Sequence, residues 1–118
     1  MSSGDIVLLW VPFGSTQLNS FKKRPVLVLN KSGTGDDQIV ACVMITGSAD
    51  RVANPRPGDI PITDWQGFGL AKESVVRPAR FWSAEERDVV KTIGKATPQF
   101  TALVRDAVAR SIGIREPD

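Results

Sequence analysis

The sequence contains no histidine and no tyrosine, and it has a single cysteine. Without histidine, the commonest general base of enzymes and a principal zinc ligand are both missing. A Ser-His-Asp triad and an HExxH metal site are therefore excluded, and the chain also lacks the common glycine-rich phosphate loops. Any chemistry has to depend on arginine, lysine, carboxylates, hydroxyl groups or backbone amides.

The chain is also short of features that mark secreted or membrane proteins. Cys42 has no partner for an internal disulfide, and its place in the apolar run IVACVMI indicates a small buried side chain. No apolar run approaches the roughly 20 residues that a membrane helix needs. The N-terminal MSSGD does not have the pattern of a signal peptide. We therefore expect a cytoplasmic protein with no membrane partner, folded as one domain over residues 1–118.

Short apolar runs separated by polar turns dominate the chain. They predict strands at residues 4–12, 24–30, 38–46, 60–62, 73–77 and 89–96, with loops at 14–20 and 47–59. The third strand is expected to be central because it is apolar on both faces. The pattern predicts a mostly β fold, a small SH3-like barrel or curled antiparallel sheet.

A C-terminal amphipathic helix completes this prediction. Thr97 followed by Pro98 is typical of a helix start, and Gly113 is typical of a helix end. Between them the apolar residues follow helical spacing, so we expect one side of the helix to pack on the sheet: Phe100, Leu103, Val104, Ala107, Val108 and Ile112.

The three tryptophans allow two interpretations. Trp10 lies within a predicted strand and is expected to be packed. Trp65 and Trp82 lie near predicted loops and are better candidates for an exposed role, in stacking on bases or in protein contact.

The net charge is only +2, but its distribution is uneven. Lys22, Lys23 and Arg24 stand directly before Pro25 and a buried apolar run, and residues 21–32 contain no acidic residue. Residues 72–80 carry three cations against Glu73. A solvated rim is the ordinary interpretation of such clusters, and an anionic partner such as an RNA backbone is the functional one.

The order of motifs along the chain resembles the PemK/MazF family of bacterial toxins, the ribonuclease members of toxin–antitoxin pairs. The motifs are GDIVLLWVPFGS, KKRPVLVLN, VMITGS, GLAKESVVRPARFW and IGKAT, and the match runs along nearly the whole chain. The resemblance implies a CcdB/MazF-like barrel with a terminal helix, a homodimer and a cognate antitoxin. It also implies cleavage of single-stranded RNA without a metal or another cofactor, by attack of the 2′-hydroxyl to leave 2′,3′-cyclic phosphate and 5′-hydroxyl ends.

The resemblance implies catalytic roles for three residues. Arg24 matches the family's arginine before the strand proline, and it would stabilise the phosphate and donate a proton. Thr46 would hydrogen-bond the scissile phosphate, and Arg77 matches an arginine that some members use near it. Further RNA contacts are expected from Lys22, Lys23, Gln17, Ser48, Arg51, Arg56 and Arg80.

The sequence departs from the family pattern at two places. Ala79 stands where some members have an aspartate base, and Thr16 and Gln17 stand where many have Glu then Gln. The general base is therefore open among Asp50, Asp64 and Glu73.

Two other functions remain on the same fold. One is a non-enzymatic inhibitor of DNA gyrase, although the Trp-Gly-Ile tail of such proteins is incomplete at Gly113–Ile114. The other is an interaction module whose catalytic site has decayed. Thr46 would then be an ordinary strand-end threonine, and Arg77 would pair with Glu73. Arg51 and Arg56 would only be surface residues of a loop.

Overall fold

A computed structural model of the chain describes residues 1–12 and 21–113. In these ranges six antiparallel strands form one sheet in the order β4-β5-β3-β2-β1-β6. The elements are β1 (Asp5–Pro12), β2 (Phe21–Ser32), β3 (Ile39–Thr46), α1 (Ala49–Ala53), β4 (Ile60–Ile62), β5 (Ser74–Glu85), β6 (Val89–Lys95) and α2 (Pro98–Ser111), with short 3-10 turns at Gly35–Asp37 and Glu86–Asp88. The predicted mostly β fold with a C-terminal helix is confirmed.

β3 lies between β5 and β2, which confirms the prediction of a central strand. Its side chains alternate between two apolar clusters, because successive residues of a strand point to opposite faces. Val43 and Ile45 belong to the larger cluster, which α2 covers, while Val40 and Cys42 belong to a smaller cluster on the opposite face.

The sheet curls so that the turn after β4 meets the other edge strand, β6. A side chain at Gly94 of β6 would collide with the carbonyl oxygen of Phe68, and one at Gly69 would collide with that of Ile93. Gly69 also has a φ of +85°, which disfavours other residues. Two backbones therefore approach closely here, and this contact fixes the segment that leads into β5.

α2 begins as predicted and packs on the sheet with part of its predicted face. The Thr97 hydroxyl accepts a hydrogen bond from the Phe100 N–H at 3.1 Å. Val104 is fully buried, but Leu103 is 54% exposed and Ile112 is 48% exposed, so the prediction was wrong for these two side chains. Buried positions on the helix are Thr101, Val104 and Val108.

A β-bulge helps to hold α2 against β2. The β2–β3 register shifts between Val28 and Asn30, which leaves the Leu29 carbonyl free to accept other bonds. The Arg105 Nε donates to this oxygen at 3.0 Å, and the Ser3 hydroxyl donates to it at 3.0 Å.

β2 and β5 are both longer than predicted. β2 begins at Phe21 and not at residue 24 as predicted, so the whole basic cluster lies inside the strand, with Leu9 of β1 opposite Arg24. β5 continues to Glu85 past Pro78, because residues 78–80 form a bulge opposite β3. Hydrogen bonds to a neighbouring strand extend both strands through polar or proline-containing residues, which the local sequence does not predict to be strand.

The prediction that Trp10 is packed was wrong, whereas the contact roles of Trp65 and Trp82, both partly buried, stay predictions. Trp10 is 46% exposed because its strand neighbours Leu9 and Val11 point into the core. Trp65 is half-buried against the larger cluster, and Trp82 lies within β5 against the smaller one.

The two predicted loops have different outcomes. The loop at 14–20 lies outside the described residues. The loop at 47–59 contains the short helix α1. No helix within residues 1–12 and 21–113 is long and apolar enough to cross a membrane.

Candidate functional site

A groove of about 430 Å³ lies where the N-terminal half of β2 meets the end of β3 and the start of β5. Four cations line it: Lys22, Lys23, Arg24 and Lys72. No aspartate or glutamate is among its described lining residues, so cations predominate in this lining. We call this the basic groove, and a polyanion is the ligand that its charge favours.

Arg24 and Thr46 project from the same face of the sheet, although only Arg24 is among the described lining residues of the basic groove. Val26 of β2 pairs with Met44 of β3, and Arg24 and Thr46 each lie two residues further toward the same end. Because side chains alternate with a period of two, both share the face of Met44. Thr46 is buried, and its Oγ1 accepts a hydrogen bond from the Ser48 N–H at 3.3 Å.

Arg77 also shares this sheet face, since it pairs directly with Met44 across β3 and β5. Its side chain, however, lines a second cavity of about 430 Å³ between β5 and α2. Leu103 also lines this cavity. We call it the arginine cleft; its charged lining residues are Arg51, Arg77, Arg80, Arg110, Asp59 and Asp106.

The guanidinium of Arg77 is poorly compensated. Its Nη1 contacts the Met44 sulfur at 3.9 Å, and its buried Nε has no hydrogen-bond partner. Burial, together with the charges of Arg51 and Arg80, lowers the pKa of Arg77, and the carboxylate of Asp59 opposes this only in part. Among the described residues no ion pair joins Arg77 to Glu73, the partner that the structural interpretation required.

Asp59 lines the arginine cleft and accepts three hydrogen bonds. It accepts hydrogen bonds from the Arg51 Nε at 2.7 Å, the Arg51 Nη2 at 3.3 Å and the Arg56 N–H at 3.0 Å. Burial of the carboxyl favours its neutral form, but the bonds from Arg51 and Arg56 and the charges of Arg51 and Arg77 outweigh burial and lower the pKa of Asp59. Arg51 is therefore committed to a buried ion pair.

Comparison with known proteins gives a family. The family model for PemK-like, MazF-like toxins of type II toxin–antitoxin systems matches residues 2–112. The chain belongs to this family. No curated protein matches it by sequence.

Solved structures of similar fold include three relevant proteins. The toxin MazF-mt6 of Mycobacterium tuberculosis is 18% identical with a TM-score of 0.67, covering 92% of this chain and 95% of that one. The MazE–MazF structure from Deinococcus radiodurans is 18% identical with a TM-score of 0.72, over 98% and 97% of the two chains. An endoribonuclease in complex with its cognate antitoxin from a mycobacterial species is 14% identical with a TM-score of 0.64, over 99% of both.

The remaining predicted site residues of this MazF-like toxin are scattered. Ser48 lines the basic groove, and Arg80 lines the arginine cleft. Arg56 is exposed and forms an ion pair with Asp50 at 3.7 Å. Gln17 and Thr16 lie outside the described residues, so their departure from the family pattern is a feature of the sequence alone.

None of the three candidate general bases lines the basic groove within the described ranges. Asp50 is engaged with Arg56. Asp64 accepts a hydrogen bond from the Gly67 N–H at 3.2 Å within the turn after β4. Glu73 is exposed, directly after Lys72. Over residues 1–12 and 21–113, no group of three or more His, Cys, Asp or Glu side chains is placed to hold a metal ion.

Lys72 is the one lining cation of the basic groove that the sequence analysis left out of the site. Its membership of a cationic segment, residues 72–80, was visible, but Arg77 and Arg80 of the same segment line the other cavity. Lys72 precedes β5, whereas Arg77 and Arg80 lie within it, and no local sequence pattern predicts that the two parts line different cavities.

Proposed function

We propose that this toxin is a cytoplasmic, metal-independent endoribonuclease that cleaves single-stranded RNA at the basic groove. The observation that supports it most directly is that Arg24 lines a groove with four cations and no described carboxylate, and that Thr46 shares its sheet face. A groove of this kind attracts an RNA backbone and holds it through phosphate contacts.

Cleavage by this route uses the nucleophile that RNA itself carries. The 2′-hydroxyl loses its proton as it attacks the adjacent phosphorus, the bond to the 5′-oxygen breaks, and that oxygen gains one proton. The products therefore carry a 2′,3′-cyclic phosphate and a 5′-hydroxyl. The protein has to hold the backbone in line and stabilise charge on the pentacoordinate phosphate. Arg24 suits the second task, because a guanidinium donates two parallel hydrogen bonds to phosphate oxygens. It would also donate a proton to the leaving 5′-oxygen.

Thr46 suits a donor role beside Arg24. Its Oγ1 already accepts the Ser48 N–H, so the hydroxyl hydrogen is left to donate in another direction. A phosphate oxygen of the bound RNA is the acceptor that we assign to it.

Arg77 is assigned to the same RNA strand, near the scissile phosphate. Two observations support this role: Arg77 projects from the sheet face that carries Arg24 and Thr46, and its buried Nε has no hydrogen-bond partner. Anion binding would relieve the repulsion that it experiences from Arg51 and Arg80. Because it lines the arginine cleft and not the basic groove, we assign it a contact to a phosphate beside the reacting one.

Inhibition by a cognate antitoxin is the second part of the proposal. An acidic segment of the antitoxin, ordered on binding, would cover the basic groove and exclude RNA. Structures of a MazE–MazF pair and of a mycobacterial endoribonuclease with its antitoxin support this for the family. Exposed apolar side chains, including Leu103 and Phe81, are available for the proposed homodimer.

The test is cleavage of end-labelled single-stranded RNA in excess EDTA by the wild type, Arg24→Ala and Arg87→Ala. Arg87 is an exposed arginine of the turn after β5 and does not line the basic groove, so it is a matched control. We expect discrete cuts with cyclic-phosphate and 5′-hydroxyl ends for the wild type and the control, and a loss of at least about 100-fold in rate for Arg24→Ala. The absence of cutting by the wild type across many RNAs would contradict a nuclease, and full activity of Arg24→Ala would contradict its role.

A further inference from the structure

Lys72 lies across the backbone of Gly47. A methyl group built on Gly47 would stand 2.5 Å from the Cε of Lys72, 3.0 Å from its Cγ and 3.2 Å from its Cδ. The aliphatic stem therefore occupies the place where any other residue at position 47 would put its Cβ. Gly47 directly follows Thr46, so this crossing lies at the end of the strand that bears the proposed hydroxyl donor.

Glycine at position 47 is not required by its backbone conformation. Its φ does not fall in the left-handed region, in contrast to Gly58 and Gly69. The blocking atoms belong to the far part of a flexible side chain, which can rotate away at little cost. Alanine at position 47 would therefore change the direction of the Lys72 side chain and would alter the fold only slightly.

The backbone of Lys72 is fixed as well. The Ser74 hydroxyl, itself buried, donates to the Lys72 carbonyl at 2.9 Å at the start of β5. On the other side, the contact of Phe68 and Gly69 with β6 fixes the turn that precedes it. A cation with a held backbone and a guided stem loses less conformational entropy when it binds an anion.

We propose that Lys72 binds a phosphate of the RNA next to the one held by Arg24, and that Gly47 exists to let it reach that position. The inference rests on the proposed function and extends it. Lys72 lines the groove together with Lys22 and Arg24, from the separate segment that precedes β5, so the RNA backbone is held from both sides. Its ammonium is a point charge that binds any phosphate without reading the base.

The experiment measures binding of an RNA with a 2′-deoxy substitution at the cleavage site, over a range of salt concentrations. Each phosphate contact to single-stranded RNA adds about 0.7 to the slope of log K against log salt. Lys72→Gln is expected to lower the slope by about 0.7. The matched control is Lys31→Gln, which removes the same charge at the far end of β2, about 23 Å from Arg24 at 3.3 Å per residue, where Lys31 pairs with Glu86. Its slope is expected to equal that of the wild type.

A double-mutant cycle tests the role of Gly47. Gly47→Ala is expected to weaken RNA binding with little change in the urea midpoint, and to have no further effect in a Lys72→Ala background, where no stem remains to be displaced. An unchanged slope for Lys72→Gln, or an equal effect of Gly47→Ala in both backgrounds, would overturn the inference. If the wild type itself shows no salt-dependent RNA binding, the proposed function fails instead, so the two failures are distinguishable.

Discussion

Replacement of Asp59 by asparagine tests how the loop between β3 and β4 is held. The carboxylate accepts two hydrogen bonds from the Arg51 side chain and one from the Arg56 N–H, and its side chain is only 4% exposed. Asparagine keeps the shape and one acceptor oxygen, but it removes the negative charge. The Arg51 guanidinium, 18% exposed, would then remain beside Arg77 without an ionic partner.

The magnitude follows from the burial of this pair. Removal of one partner of a buried ion pair costs about 3–5 kcal/mol, because the other charge is left uncompensated. Since asparagine retains one acceptor, we expect a loss near the lower end, about 3 kcal/mol. With an m value of about 1–3 kcal/mol per M, this lowers the urea midpoint by about 1–3 M.

The assay is urea denaturation of the wild type, Asp59→Asn and Asp50→Asn at pH values from 7 to 3. Asp50 lies in the same loop, but its pair with Arg56 is 3.7 Å long and exposed, so this control should change stability by less than about 0.5 kcal/mol. The folded-state pKa of Asp59 is lowered. Its contribution is therefore complete above the unfolded-state pKa near 3.9 and is lost as the pH falls through the folded-state value.

The pH series makes the reasoning refutable. A protonated aspartic acid resembles asparagine, so the difference between wild type and Asp59→Asn should be constant from pH 7 to about 5 and should shrink as the pH approaches 3. Equal losses for Asp59→Asn and Asp50→Asn, or a difference that does not change with pH, would show that the ion pair does not hold this loop.

Two further predictions concern the core of the fold. Gly94→Ala places a methyl group 1.8 Å from the Phe68 carbonyl oxygen. Because backbone has to move, we expect the free energy of unfolding in urea to fall by at least about 2 kcal/mol. Gly47→Ala, which meets only the flexible Lys72 side chain, should cost little, and equal losses would contradict the close approach of the two backbones. Burial raises the pKa of Cys42 to about 12. Iodoacetamide at pH 8 should therefore leave the thiol of the native protein unmodified and should label it quickly in urea, as measured by mass spectrometry. Rapid labelling of the native protein would refute this.

The elements that the sequence predicted well are those with a strong local signal. β3 is a continuous apolar run, and α2 begins at Thr97–Pro98, where the capping bond is present. The strands that were too short in the prediction, β2 and β5, extend through Lys22–Arg24 and past Pro78. Their pairing depends on the strand opposite, which is distant in sequence, so charge and proline misled the local interpretation.

The exposure of single side chains was harder to predict than the strands that carry them. Trp10 lies in a correctly predicted strand, but the alternation sets it outward, with the Lys23 ammonium 5.4 Å from the centre of its ring. Its aromatic character predicted a buried position, but the alternation of side chains along β1 sets it opposite to the buried Leu9 and Val11. Thr101 shows the converse, because its hydroxyl donates to the Thr97 carbonyl at 2.9 Å and can therefore be buried.

The candidate site could be predicted only through the family resemblance. Local pattern marks Arg24 as one cation in a run, and nothing near it in sequence connects it with Thr46 or Lys72. The β2–β3 register joins the first pair, and the turn packed against β6 brings the third. Arg77 and Lys72 are five positions apart in one cationic segment, yet the fold places them in different cavities.

The two cavities differ in how strongly they should attract RNA. The basic groove has four cations and no described carboxylate, whereas in the arginine cleft four arginines are offset by Asp59 and Asp106. A polyanion gains free energy by replacing counterions, so the groove, whose described lining has no carboxylate, should supply most of the salt dependence of binding. The slope would be about 3 if all four cations contact phosphates. In the cleft, Asp59 already neutralises Arg51, which leaves Arg77 as the cation with most to gain from a ligand. A single phosphate beside the reacting one would satisfy it, and this is the arrangement expected if Arg77 assists the groove without being part of it.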